Sequence, residues 1–230
     1  MPPSPHGRAI QDPDAPARRD AAHGPAPLRL RGSFDRAAAN AIIDEAYLAH
    51  VGFVVDGTPR VLPMTYGRID DQLYLHGAVG NAMLRAAIGA EVCVEITLLD
   101  GLVLARSAFH HSMNFRSVVL IGTGAKVDDP AEKAAAFDAI VEHVLPGRSQ
   151  ASRPTSESEM RTTLVVRVPI QEGSVKVRAG GPVDDDADLG LPHWAGVIPL
   201  ATVPGAPEHD ELQLADPELA ALAAPEATRP

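Results

Sequence analysis

A histidine and two glycines mark the first stretch that could do chemistry, residues 76–85. His76, Gly77 and Ala78 end a predicted strand, and Asn81 and Arg85 lie in the short Ala/Leu/Met-rich helix predicted next. Backbone N–H groups at a helix start attract anions, and glycine lets a phosphate approach the main chain. The stretch contains neither a Walker loop nor a dinucleotide-binding glycine pattern, so an ordinary strand-to-helix turn is the alternative.

Polar side chains crowd a second stretch, residues 109–118, just before an apolar strand. Arg116 carries a planar guanidinium that can bind phosphate or carboxylate through two hydrogen bonds, and Asn114 and Ser117 flank it. His110 and His111 are adjacent, so on a strand they would face opposite sides and could not share one metal ion. No metal site is therefore predicted. The alternative to a binding site in this stretch is a surface turn whose histidines have no function.

Two further stretches carry groups suited to a flat ligand. Met64, Thr65 and Tyr66 follow a proline on a predicted strand, where an ordinary core strand is the competing interpretation. Trp194 is the only tryptophan and lies among prolines and glycines after the last predicted strand. A lone tryptophan there either covers a ligand ring or attaches the tail to the body of the protein.

The segments between these stretches are patterned mainly as short β-strands. Asp35 and Asp129 are helix N-caps by type, and residues 56–57 form a hairpin turn of the Asp-Gly kind. Pro63 places its strand at a sheet edge or a bulge, and residues 100–101 are interpreted as a turn between two strands. Seven or eight strands and three helices, joined by short turns, predict a mainly β (α+β) fold, an antiparallel barrel with peripheral helices.

The composition narrows the class of protein. Hydrophobic residues make up 45% of the 230 residues, enough to bury a core. No run of about 18 apolar residues is present, so no membrane-spanning helix is expected. A net charge of −10 without a basic stripe disfavours nucleic acid as a partner. The N-terminus lacks the pattern of a secretory signal and Cys93 is the only cysteine, so a cytoplasmic protein is expected.

Proline is concentrated at both ends of the chain, where the apolar periodicity fades. This pattern predicts a flexible leader over residues 1–28, one folded domain over 29–202 and an acidic Ala/Pro-rich tail over 203–230. The four stretches described above all fall within the predicted domain.

Taken together, these stretches resemble the flavin-nucleotide-binding proteins of the pyridoxamine 5′-phosphate oxidase superfamily, in the branch of the nitroimidazole resistance proteins. The likeness covers about residues 30–200, and the order and spacing of its pieces make it specific. The matching pieces are residues 50–53, 56–59, 62–67, 73–78, 100–106, 109–118, 146–148, 159, 162–163 and 194–199.

The resemblance implies a split β-barrel, a homodimer and an FMN at the subunit interface. It implies that Met64, Thr65 and Tyr66 run beside the isoalloxazine and that His76, Gly77 and Ala78 stand near the ring and ribityl chain. It places Asn81 and Arg85 near the phosphate, where many relatives have Ser or Lys around the first of them. It implies that Asn114, Arg116 and Ser117 make further contacts with the FMN and that Trp194 comes from the partner chain.

Several functions follow from this resemblance. The first is an FMN-dependent oxidoreductase that reduces a small, electron-poor substrate such as a nitroaromatic, with His76 as the proton donor. A structural hydrogen bond is the competing role for His76. The alternative is a non-catalytic protein of the same fold that holds flavin or haem, with His50, His76, His110 or His111 as an axial ligand. The deazaflavin F420 stays open as a replacement for FMN. Oxidation of pyridoxamine phosphate is not expected, because the arginines and lysines needed for two phosphate groups are few.

Overall fold

Two antiparallel sheets form the body of the protein in the computed structural model, which describes residues 32–33, 35–215 and 217. The predicted leader, residues 1–28, lies outside the described residues. In spatial order the larger sheet contains β1 (Gly32–Ser33), β10 (Glu172–Arg178), β7 (Ser112–Thr123), β6 (Glu91–Leu104), β2 (Ala49–Val55) and β3 (Thr58–Met64), with β11 (Gly196–Pro199) also paired to β6. The smaller sheet contains β4 (Tyr66–Ile69), β5 (Gln72–Ala78), β9 (Thr163–Pro169) and β8 (Ala125–Lys126).

Five α-helices accompany these sheets in the described part of the chain. They are α1 (Arg36–Glu45), α2 (Ala82–Ala87), α3 (Pro130–Val144), α4 (Glu157–Thr162) and α5 (Glu211–Ala215), with 3₁₀ turns at Ala108–His110 and Asp186–Asp188. None of these helices combines the length and the apolar character needed to cross a bilayer. The predicted antiparallel α+β fold is confirmed, although the two sheets do not close into one continuous barrel over the described residues.

The main core lies between the inner faces of the two sheets. Alternate residues of a strand point to opposite faces, so Val51 and Phe53 of β2 and Val94 of β6 turn inward and are buried. A second, smaller cluster lies on the other face of β5, where Tyr74 packs under Ile140 of α3. The apolar run of β5 therefore reflects burial of that strand on both faces.

Tyr66 ties the end of α1 to the smaller sheet. Its side chain is fully buried, and its hydroxyl lies 2.6 Å from the carbonyl oxygen of Ile43 and 3.1 Å from that of Ala46. The last carbonyls of a helix have no partner within the helix, so the tyrosine hydroxyl supplies a donor to this end. Tyr66 therefore serves the fold through its side chain, which anchors the end of α1.

The larger sheet corrects one sequence interpretation and confirms two. Residues 100–101 do not end a strand, because β6 runs unbroken through them with a register shift between Leu99 and Gly101. The Asp100 side chain accepts hydrogen bonds from the neighbouring strand, so the extra residue is held as a bulge. Asp56 and Gly57 have φ values of 50° and 74°, as expected for a two-residue hairpin turn, and the strand with Pro63 lies at a sheet edge.

Gly67 on β4 lies directly beneath α3, and this contact gives a first prediction. A Cβ there would approach the Ile140 backbone nitrogen to 2.6 Å and the Ala139 carbonyl carbon to 2.7 Å, so the helix would have to lift. Gly67→Ala is expected to lower the free energy of unfolding in urea by about 1–3 kcal/mol. Gly80→Ala is the control, because its Cβ would meet nothing within 4 Å. Equal losses in the two variants would contradict this packing.

Candidate functional site

A cavity of about 780 Å³ opens between the end of α1, the middle of β6 and β7, and residues 200–204. We call it the α1 cavity. Tyr47, Leu48, Leu99 and Leu200 all line it and are 38–49% exposed. Apolar side chains gathered in a concave site, with polar groups at a few points, are typical of a site for a ligand with an apolar body.

Arg116 forms the polar wall of the α1 cavity together with two carboxylates. Its Nε and Nη2 donate to Asp100 over 3.0 and 2.7 Å, Nη2 also donates to Glu45 over 2.8 Å, and Nη1 donates to the second Glu45 oxygen. These hydrogen bonds raise the pKa of Arg116, and the bond from Arg116 lowers the pKa of Glu45. The cation is thus neutralised by two acids, so a phosphate here would have to displace a carboxylate.

His50 reaches the α1 cavity from β2 with one ring nitrogen near an acid. It stands opposite Glu95 of β6, and its Nδ1 lies 3.5 Å from Glu95 Oε2. The imidazole is 52% exposed and lines the cavity. No hydrogen bond to Nε2 is formed within the described part of the chain, so this nitrogen is available to a ligand.

A second group of predicted site residues meets at the end of β4 and β5. Because Tyr66 pairs with Leu75, the next residues along the two strands, Thr65 and His76, lie side by side. His76 faces α3, with its ring edge-on to Phe137 at 6.3 Å between centroids. Its Nδ1 is buried without a hydrogen-bond partner, and burial lowers the pKa of this imidazole, which favours its neutral form.

The turn after β5 brings Gly77 against α2. A Cβ on Gly77 would lie 3.0 Å from Leu84 and 3.1 Å from the Asn81 amide, so this position has little room for a side chain. The Asn81 side chain accepts from the Leu84 backbone N–H at 3.1 Å, which makes it the N-cap of α2. Arg85 on α2 is exposed and forms no ion pair with another described residue.

The predicted contacts on β7 are used mainly within the larger sheet. Asn114 donates to the Gly180 carbonyl at 3.1 Å and accepts from Arg178, and the Ser117 hydroxyl lies 3.5 Å from the Lys176 carbonyl. These bonds fasten β7 to β10 and to the loop that follows. The side chains therefore have structural partners in the single chain.

The segment containing the two adjacent histidines is held by a buried acid. The Asp184 carboxylate is 2% exposed and accepts from the backbone N–H groups of Arg106 and Ser107 at 2.7 and 3.2 Å. Burial opposes ionisation, but these bonds and the Arg106 guanidinium keep the pKa of Asp184 below its ordinary value. His110 lies 3.3 Å from Asp185, and His111 Nδ1 lies 3.0 Å from the Ser107 carbonyl.

The structure divides the predicted site residues between two places. Thr65, His76, Gly77 and Ala78 lie together at the edge of the smaller sheet, beside Met64 and ahead of α2. Arg116 lines the α1 cavity, whose lining includes neither Thr65 nor His76. Trp194 is 65% exposed, and its indole covers Gly196 next to β6.

Sequence reasoning missed three acidic residues of the α1 cavity region: Glu45, Glu95 and Asp100. Glu95 lies between the buried Val94 and Ile96 on a half-buried strand. A charged residue at such a position was the one sequence signal that could have indicated Glu95 as a site residue. Glu45 and Asp100 come from elements far apart in the sequence, so only the folded chain brings them to one guanidinium.

Burial of His76 predicts how stability depends on pH. In the unfolded chain a histidine binds a proton near pH 6.5, whereas the lowered pKa keeps His76 neutral in the fold at that pH. Its stabilising contribution is therefore present above about pH 6.5 and is lost as the pH falls below that value. We expect His76→Gln to make the free energy of unfolding fall less steeply than in the wild type between pH 7 and pH 5. Parallel curves in urea titrations at several pH values would contradict the burial effect.

Comparison with known proteins gives both a family and solved relatives. The model of the family described as Pyridoxamine 5′-phosphate oxidase matches residues 35–177. Flavocytochrome Anf3 from Azotobacter vinelandii is 36% identical, with a TM-score of 0.81 over 90% of this chain and 94% of that chain. The FAD and haem binding protein from Mycobacterium smegmatis is 37% identical, with a TM-score of 0.76 over 79% and 89% of the two chains.

A third structure is less similar. It is described as a 5-nitroimidazole antibiotic resistance protein from Bacteroides thetaiotaomicron and is 28% identical, with a TM-score of 0.53 over 64% of this chain and 86% of that chain. A search of curated proteins found no match.

Proposed function

Because the chain belongs to the pyridoxamine 5′-phosphate oxidase family, we propose that it is a redox protein that holds a flavin and a haem. One observation carries this proposal: the chain is 36–37% identical to a flavocytochrome and to a protein named for binding FAD and haem. These matches cover 90% and 79% of the chain, whereas the family model matches 143 of its 230 residues (177 − 35 + 1). The likeness therefore includes residues outside the region that defines the family.

The proposed flavin site is the edge of the smaller sheet where Thr65 and His76 lie side by side. Met64, Gly77 and Ala78 would border the flat ring. Arg85, exposed and without an ion pair to another described residue, suits the anionic end of a flavin nucleotide. Arg116 suits it less, because Glu45 and Asp100 already occupy its guanidinium.

A bound flavin would supply the electron transfer itself, so the chain needs only to bind it, orient it and handle protons. His76 is the residue proposed to hold a proton beside the ring. Burial keeps its imidazole neutral at neutral pH, so it would act through its own N–H rather than as a cation. Reduction of a small electron-poor substrate is proposed as the use of these electrons.

The identity of the flavin is the next question. FMN is the nucleotide that the sequence resemblance implies, and FAD is the one named for the relative that is 37% identical. That relative favours FAD here. Purification of the full chain without added cofactor, followed by mass spectrometry of the released chromophores, separates FAD, FMN and F420.

The absorption spectrum of the same sample tests the whole proposal. We expect flavin bands together with a haem Soret band, and bleaching of the flavin bands on anaerobic titration with NADH or NADPH if the protein turns over. A colourless protein that takes up neither flavin nor haem would overturn the proposal.

Arg85 gives a prediction specific to the flavin site. A hydrogen bond between charged groups contributes about 1.5–3 kcal/mol, so Arg85→Ala should weaken flavin binding about tenfold or more, measured by quenching of flavin fluorescence. Arg36→Ala is the matched control, because Arg36 is also an exposed arginine on a helix but is paired with Asp71. Equal flavin affinity in the two variants would remove Arg85 from the site.

We also propose that two copies of the chain form a homodimer through β3. All of β3 up to Pro63 is exposed, and its outer edge pairs with no strand in the described part of the chain. Val61 and Leu62 point to opposite faces and are 64% and 44% exposed. Pro59 and Pro63 disfavour pairing of a further strand along this edge, so the proposed contact is made by the exposed Val61 and Leu62 side chains.

Val61→Asp tests this interface. A charge at its centre should shift the protein from dimer to monomer in light scattering, because a carboxylate would be buried without a partner. Val203→Asp is the control, since Val203 is 76% exposed in the tail. A monomeric wild-type protein, or a Val61→Asp variant that stays dimeric, would contradict the interface.

A further inference from the structure

We infer that the α1 cavity takes the haem, with His50 Nε2 as an axial ligand of its iron. The inference rests on the proposed function and assigns one of its two cofactors to a place in the fold. Three observations carry it. They are the contacts of the His50 imidazole, the apolar side chains that line the cavity, and the position of residues 200–204 outside the region matched by the family model.

The His50 ring is arranged as iron-binding imidazoles commonly are. Such a histidine uses one nitrogen for the metal, while the other nitrogen contacts a carboxylate or carbonyl that orients the ring. Glu95 Oε2 lies 3.5 Å from His50 Nδ1 across the β2–β6 pair, so the carboxylate contacts the nitrogen that the metal would not use. Glu95 is therefore proposed as a positioning residue.

The walls of the α1 cavity suit a flat apolar ring. Leu48, Leu98, Leu99, Leu200 and Ala201 border it, and its volume of about 780 Å³ lies within the usual range of cofactor sites. Leu48, Leu99 and Leu200 are 38–49% exposed in the protein alone, so a ligand in the cavity would cover apolar surface.

Part of this wall lies outside the family-defining region. Residues 200–204 follow the last residue matched by the family model, Val177, and the Leu200 backbone N–H fastens them by donating to the Asp100 carbonyl at 3.0 Å. The two relatives named for haem or as a flavocytochrome match 79% and 90% of the chain, and the resistance protein matches 64%. The two longer matches thus extend beyond the 143 residues that the family model defines, as a haem site built partly outside that region requires.

The other candidate histidines have different surroundings. His76 lies against Phe137 under α3, His110 is near Asp185 and His111 is near the Ser107 carbonyl. None of the three lines the α1 cavity. Among these four histidines, His50 is thus the one that lines the α1 cavity, and its Nε2 forms no hydrogen bond within the described part of the chain.

The test compares haem and flavin contents of the full-length wild type and its variants. His50→Ala is expected to lower bound haem at least tenfold, read from the Soret band, while leaving the flavin content unchanged. Imidazole added to the variant should restore haem binding by supplying the missing ligand. His209→Ala, an exposed histidine of the tail, should keep the wild-type content of both cofactors.

Two further variants test the surroundings of the iron. Glu95→Gln should retain haem but raise its reduction potential, because a neutral amide stabilises the ferric state less than a carboxylate does. Ala201→Trp, which adds a large side chain to the cavity wall and leaves the His50 residue in place, should reduce haem uptake with flavin retained.

The outcomes separate the inference from the function on which it rests. A wild-type protein that binds flavin but no haem refutes the two-cofactor function. A wild-type protein that binds haem, with the same Soret band and the same electron paramagnetic resonance signal in His50→Ala, refutes the assignment of His50. Loss of haem only in variants of His76, His110 or His111 also overturns it.

Discussion

The guanidinium of Arg116 holds together the part of the molecule on which the α1 cavity depends. It joins Glu45 at the end of α1 to Asp100 at the bulge of β6, while its own backbone belongs to β7. The three groups are only partly buried, so water screens their attraction and the net stabilisation is modest. The more important effect is geometric, because two bidentate pairs fix the helix end, the bulge and the strand in one arrangement.

Much of the local structure could be predicted because it is set by neighbours in sequence. Asp35 and Asp129 cap helices, and Asp56–Gly57 forms a hairpin, since each outcome depends on a few adjacent backbone groups. The alternation of β6 similarly indicated a half-buried strand. At Asp100, however, the local sequence indicated a turn, whereas the structure has a bulge within β6. Hydrogen bonds from Arg116, sixteen residues later in the chain, hold this bulge.

The site was harder to predict because its members interact over long sequence distances. The residue type alone indicated that Arg116 binds an anionic group, and it does. It did not indicate that the anionic groups are the Glu45 and Asp100 carboxylates of the same chain. Tyr66 presents the same difficulty. Its hydroxyl looks available for a ligand until the end of α1 is placed against it. The family resemblance supplied the fold, while the partners of each polar group had to come from the structure.

The pairing of β2 with β3 brings the two proposed cofactor sites close to each other. His50 pairs with Pro63, and Ala49 pairs with Met64. Thr65 is therefore two residues after the residue that pairs with His50. With about 3.3 Å per residue along a strand and about 4.8 Å between strands, the backbones of His50 and Thr65 are on the order of 10 Å apart. The chain crosses between the two sheets at this point, where β3 ends at Met64 and β4 begins at Tyr66. A flavin on the smaller sheet and a haem in the α1 cavity would therefore be joined by a short piece of backbone, which limits how far apart the two redox groups can lie.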